Sequence, residues 1–208
     1  MLKAAIIYLQ GSSGNLLLRT LTLSKKTIPL TRLGQDDNLT PTQRLDVYNN
    51  WSADDWTKSE TEISYWYSEG YEDFVKYELD PRWFIDNFHP NQFCYENERQ
   101  LLWLGQGWQY LIYIDYDDSD IPEITQLAEL KRKDLAHKTQ IKTEHETLAR
   151  MKHQLPGLSV HWKTFKDLNS YLSSIKYLDA KLNLSLDYDL VTDLWTKWNN
   201  STNAITKQ

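Results

Sequence analysis

Apolar residues are distributed along this chain in two distinct ways. Ala4-Ala5-Ile6-Ile7-Tyr8-Leu9 and Tyr110-Leu111-Ile112-Tyr113-Ile114 are unbroken apolar runs of strand length. Runs of this kind suit strands covered on both faces, as in parallel sheets. Leu158-Ser159-Val160-His161-Trp162, which follows the breaker Pro156-Gly157, predicts a short third strand.

Elsewhere the apolar positions recur at helical spacing. Leu16, Leu17, Leu21 and Leu23 supply one face of a helix after the first strand, with Arg19 and Lys25 expected toward solvent or a ligand. Thr40-Pro41-Thr42-Gln43 reads as a capping box with proline at the first helical position, followed by Leu45, Tyr48 and Trp51. Asp80-Pro81-Arg82-Trp83 predicts another helix start, running toward Asn87. Asp120, Pro122 and Glu123 open a long helix toward Met151, whose polar end beyond Lys138 is expected to project into solvent. Two amphipathic helices close the chain, one carrying Phe165, Leu168, Tyr171, Leu172, Ile175 and Leu178, the other Leu190, Val191, Leu194, Trp195 and Trp198.

Strands alternating with helices predict an α/β fold with a mostly parallel central sheet flanked by helices and a P-loop-like strand-turn-helix at the N-terminus. No repeat, low-complexity tract or linker marks a boundary, so residues 1–208 read as one domain. Helical segments are expected as an insertion over residues 40–90, and the tail 202–208 is expected to fray.

Composition narrows the function classes. The net charge of −6 and pI near 5.4 argue against general affinity for nucleic acid, which needs clustered Lys and Arg. The apolar start is too short for a membrane span or signal core, so a cytoplasmic, membrane-free protein is expected. A lone cysteine, Cys94, rules out an internal disulfide and a cysteine-based metal site. Nine Trp and thirteen Tyr are compatible with a large aromatic core or with a surface that stacks on sugars.

Three places could carry chemistry. In Gln10-Gly11-Ser12-Ser13-Gly14-Asn15, two glycines allow a sharp turn whose N–H groups could face an anion at the positive end of the next helix. Spacing alone leaves ligand binding and an inert tight turn both open. His89, in Asp86-Asn87-Phe88-His89-Pro90, is the preferred general base, against a structural histidine at a helix end; His161 is the second choice. His137, His145 and His153 recur every eight residues, too far apart for the usual metal spacing, and no metal ligands are assigned. Asp115-Tyr116-Asp117-Asp118-Ser119-Asp120 fails as a calcium loop, because Asp120 stands where glycine is needed and Gln126 where glutamate is needed. Its Asp-x-Asp could hold a metal for glycosyl transfer, or simply cap the following helix.

The run Ile6-Ile7-Tyr8-Leu9-Gln10-Gly11-Ser12-Ser13-Gly14-Asn15-Leu16-Leu17-Leu18-Arg19 resembles the first strand, loop and helix of P-loop-type sulfotransferases, especially short bacterial and phage-like members. Ser159 to Phe165, Asn183-Leu184 and the Leu190 to Trp198 helix resemble later segments of that family. The resemblance implies that Gly11, Ser12, Ser13, Gly14, Asn15 and Arg19 bind the 5′-phosphosulfate of 3′-phosphoadenosine-5′-phosphosulfate. It also implies sulfuryl transfer to a hydroxyl of a small molecule or glycan, with carbohydrate as the expected acceptor. A non-catalytic glycan- or protein-binding protein on the same fold is the alternative.

Overall fold

The computed structural model describes residues 2–9, 11–28, 39–50, 81–88, 90, 108–132 and 137–206. Its centre is a four-stranded, wholly parallel sheet in the order β2-β1-β3-β4. The strands are β1 (Leu2–Ile7), β2 (Trp83–Phe88), β3 (Tyr110–Asp115) and β4 (Leu158–His161). Register runs from Leu2↔Trp83 to Ile7↔Phe88, from Ala4↔Tyr110 to Ile7↔Tyr113, and from Ile112↔Leu158 to Asp115↔His161. The two apolar runs and the segment after Pro156-Gly157 thus form strands as predicted, and β1 is internal. Successive strand residues point to opposite faces, and Ala4 through Ile7 are all fully buried, so helices or loops cover the sheet on both sides.

The helices are α1 (Gly14–Leu21), α2 (Pro41–Asn50), α3 (Ile121–Arg132), α4 (His137–Gln154), α5 (Leu168–Leu182) and α6 (Tyr188–Thr206). α1 packs on β1, β2 and α6, while α6 also touches α2, α3 and α5. The capping box of α2 forms as the sequence indicates: Thr40 N donates to Gln43 Oε1 at 2.8 Å, and Gln43 N to Thr40 Oγ1 at 3.3 Å. α5 is opened by Asp167, which accepts from Ser170 N at 2.8 Å, and closed by Asn183 in the left-handed conformation at φ 53°. Beyond it, buried Asp179 accepts from Ser185 N (2.7 Å), Leu186 N (3.2 Å) and the Tyr188 hydroxyl (2.6 Å), which fixes the turn between the two last helices.

Three expectations are corrected. Trp83–Phe88, expected as the continuation of a helix started at Asp80-Pro81, is strand β2. Proline at the first position suits a strand entry as well as a helix entry, and the full register with β1 decides between them. The residues between Lys138 and Met151, expected in solvent, include inward positions of α4: Glu144, Thr147, Leu148 and Met151 are all buried. Arg19, expected toward solvent or a ligand, does not face solvent: it is 1% exposed and donates to the Tyr48 carbonyl at 3.3 Å.

A second buried arginine holds α2 in place. Arg44 donates to the carbonyls of Leu39 (2.9 Å), Thr22 (2.8 Å) and Ser24, and to Thr27 Oγ1 (3.0 Å). Burial lowers its pKa from the usual value. Among the described aromatics, Tyr8, Tyr48, Trp83, Tyr113, Trp162, Phe165, Tyr171 and Trp195 are buried in the core. No helix among the described residues is long and apolar enough to cross a membrane.

Candidate functional site

In a parallel sheet the carboxyl ends of all strands lie along one edge, and ligands bind there where neighbouring strands send their connections in opposite directions. Here that point lies between β1 and β3. The chain leaves β1 toward β2 on one side and leaves β3 toward β4 on the other. The turn after β1 and the acidic segment after β3 therefore lie on the two sides of this switch point.

The turn after β1 is tight. Gly11 has φ +88°, and a Cβ there would stand 2.4 Å from the Ile124 carbonyl oxygen on α3, so both the conformation and the contact exclude a side chain. Ser12 is fully buried, with its N–H (3.0 Å) and its hydroxyl (2.6 Å) both donating to the Leu9 carbonyl. Ser13, the residue before α1, is in the left-handed region at φ 69°, and its hydroxyl makes no capping bond. The first turn of α1 contains no acidic residue. The positive end of this helix is therefore not neutralised by a side chain of its own first turn. Gly14 lies against the ring of Tyr8, whose hydroxyl donates to Asn15 Oδ1 at 3.3 Å.

The structure thus brings Gly11, Ser12, Ser13, Gly14 and Asn15 together at the β1–α1 junction, but it turns the Ser12 hydroxyl inward. Arg19 lies behind this turn, between α1 and α2. His89, the expected base, lies outside the described residues, as do Gln10 and most of the aromatic stretch 51–107.

On the other side of the switch point, Asp117 to Asp120 close a short 3₁₀ turn that leads into α3. Asp120 N donates to the Asp117 carbonyl at 2.8 Å, and Asp117 N to Asp120 Oδ2 at 3.0 Å. This is the capping role open to the acidic run. Lys163 Nζ, from the turn after β4, lies 2.7 Å from Asp120 Oδ1 and 3.3 Å from Asp117 Oδ2. Burial alone would raise the pKa of Asp120. Hydrogen bonds from Lys163 and the Asp117 backbone, with the charge of Lys163, overcome it and hold the carboxyl at about 2.

His161 completes this group. Asp117, Asp120 and His161 each offer one ligand atom, all within 4.8 Å of one another. Their hydrogen-bond arrangement nevertheless suits a closed polar network better than a cation site. His161 Nδ1 accepts from Lys163 N at 3.3 Å, so the ring carries its hydrogen on Nε2, which faces Asp117 Oδ2 at 3.5 Å and Asp120 Oδ2 at 3.7 Å. A metal on Nε2 would need the lone pair that this arrangement places on Nδ1, and the Lys163 ammonium already pairs with both carboxylates. Asp115, the other acid of the Asp-x-Asp, pairs with Lys152.

A further pair escaped the sequence. The Tyr116 hydroxyl and His145 Nδ1 are 2.7 Å apart, joining the end of β3 to α4. The only signal in the sequence was the polar turn after an apolar strand; the 29-residue separation of the partners hides the contact. Comparison with known protein families, with curated proteins and with solved structures finds no match to this chain.

Proposed function

We propose that the chain binds a phosphorylated nucleotide in the crevice between β1 and β3. In this reading it is a sulfotransferase-like protein that passes a sulfuryl group from 3′-phosphoadenosine-5′-phosphosulfate to a hydroxyl, with carbohydrate as the acceptor class. The observation that carries the reading is the coincidence of the strand-order reversal with the positive end of α1, which has no acidic side chain in its first turn. The resemblance of residues 6–19 to the first strand, loop and helix of that family adds the identity of the anion.

The structure modifies how the residues would act. The Ser12 hydroxyl is spent on Leu9, so the backbone N–H groups of Ser13, Gly14 and Asn15 become the donors to the phosphosulfate. Arg19, held by Tyr48, contributes positive charge from behind the turn and makes no direct contact. His89 keeps the role of proposed base.

Calorimetric titration with adenosine 3′,5′-bisphosphate tests the reading. Binding by the wild type is expected, weakened at least tenfold by Ser13→Glu, which places a carboxylate at the α1 terminus. Absence of binding by the folded wild type overturns it.

A further inference from the structure

A serine placed just before a helix ordinarily has an extended backbone and bonds its hydroxyl to an N–H of the first turn. Ser13 does neither. Its φ of 69° and ψ of 26° are left-handed, a conformation that strains an L-residue and that glycine adopts freely. Its hydroxyl makes no capping bond, and no other group among the described residues takes it. The residue is only 9% exposed, while the oxygen itself is not sealed from solvent. Ser13 therefore combines backbone strain with a largely enclosed, unused donor, both of which a glycine in its place would remove.

The N–H groups of Ser13 and Gly14 share this situation: neither donates to a carbonyl among the described residues. A left-handed residue leading into a right-handed turn points successive N–H groups to one side, which makes a concavity for an anion. The Ser13 carbonyl faces the other way, into α1, where it accepts from Leu16 N at 3.1 Å and Leu17 N at 3.2 Å. Neighbouring side-chain oxygens are engaged elsewhere, Ser12 Oγ with the Leu9 carbonyl and Asn15 Oδ1 with the Tyr8 hydroxyl.

We propose that the Ser13 hydroxyl and the N–H groups of Ser13 and Gly14 form a subsite for one tetrahedral oxyanion, sulfate or phosphate, and that this subsite is complete without a nucleotide. The hydroxyl donates to one oxygen of the anion and the two N–H groups to its remaining oxygens. The strain at position 13 persists because serine supplies a donor that glycine lacks. The inference rests on the anion reading of the α1 terminus given above and adds the Ser13 hydroxyl as a direct contact.

The test measures stability and anion binding together in Ser13→Gly. In thermal unfolding without anion, the variant is expected to melt about 2–4 °C above the wild type, because glycine relieves the left-handed strain. In amide NMR titrations with sodium sulfate and with sodium phosphate at constant ionic strength, the wild type is expected to show a saturable shift at Gly14. Ser13→Gly should weaken that binding at least tenfold, as loss of one hydrogen bond to a charged group predicts. Ser13→Ala, which removes the hydroxyl but not the side chain, should lose affinity equally. A lower melting temperature for Ser13→Gly would show that the serine serves the fold, and overturns the proposal. Unchanged affinity in either variant, or no saturable shift with either anion in the wild type, also overturns it. Adenosine 3′,5′-bisphosphate separates the two readings: sulfate binding without bisphosphate binding removes the nucleotide reading alone, and bisphosphate binding that Ser13→Gly leaves unchanged removes the hydroxyl contact alone.

Discussion

The ring of Tyr8 fills the space that a side chain on Gly14 would need: a Cβ on Gly14 would lie 2.3 Å from Tyr8 Cγ. Tyr8 is 3% exposed and cannot simply swing into water. The glycine at the start of α1 is therefore explained by an aromatic neighbour as much as by any ligand.

This relationship predicts a reversal of sign. Gly14→Ala is expected to destabilise the wild type by about 2 kcal/mol through overpacking. In a Tyr8→Ala background the clash is gone, and the same substitution should be neutral or stabilising by up to about 1 kcal/mol, because alanine is the better helix former. Urea unfolding of the four variants measures the coupling. Equal effects in both backgrounds would show that the ring is not the constraint.

Asp120 makes stability depend on pH. Its folded pKa is about 2, below the ordinary carboxylate value, so its ionised form stabilises the native state. That contribution is complete above about pH 4, near the unfolded value. It declines as pH falls toward 2. Asp120→Asn should accordingly be less stable than the wild type by a constant margin above about pH 4, and the margin should shrink on acidification. Chemical unfolding of both proteins across this range checks it; a margin independent of pH would mean that the carboxylate charge is not what holds the turn.

Asp179 should behave as a keystone for the last two helices. Asp179→Ala leaves the N–H groups of Ser185 and Leu186 and the Tyr188 hydroxyl without their acceptor, at an expected cost of about 3 kcal/mol. Asp179→Asn keeps one acceptor oxygen and should cost about half as much. Thermal unfolding ranks the two variants.

Much of the fold could be read from local pattern. β1 and β3 are visible because buried parallel strands need unbroken apolar runs, β4 because Leu158 follows the breaker Pro156-Gly157, and α5 and α6 because Tyr171, Ile175, Leu178 and Val191, Leu194, Trp195 repeat at helical spacing. β2 was not legible: Trp-Phe-Ile-Asp-Asn-Phe interrupts its apolar run with two polar residues, and only the register with β1 makes it a strand. The buried arginines were equally hidden. Arg19 and Arg44 are solvated by carbonyls of residues far along the chain, which no local pattern announces. At the carboxyl edge, the glycine turn and the acidic run were visible as separate features. Their placement at one switch point follows from strand order, and the pairs Tyr116–His145 and Lys163–Asp120 from how α4 and the turn after β4 meet the end of β3.

The same strand order bears on how the chain is made. β1 is synthesised first, yet it becomes a sheet strand only when Trp83–Phe88 and Tyr110–Tyr113 have followed it. At about 5–20 residues per second the nascent chain carries its most apolar segment unpaired for several seconds. During that interval Ala4–Leu9 offers both hydrogen-bonding edges to any other extended chain.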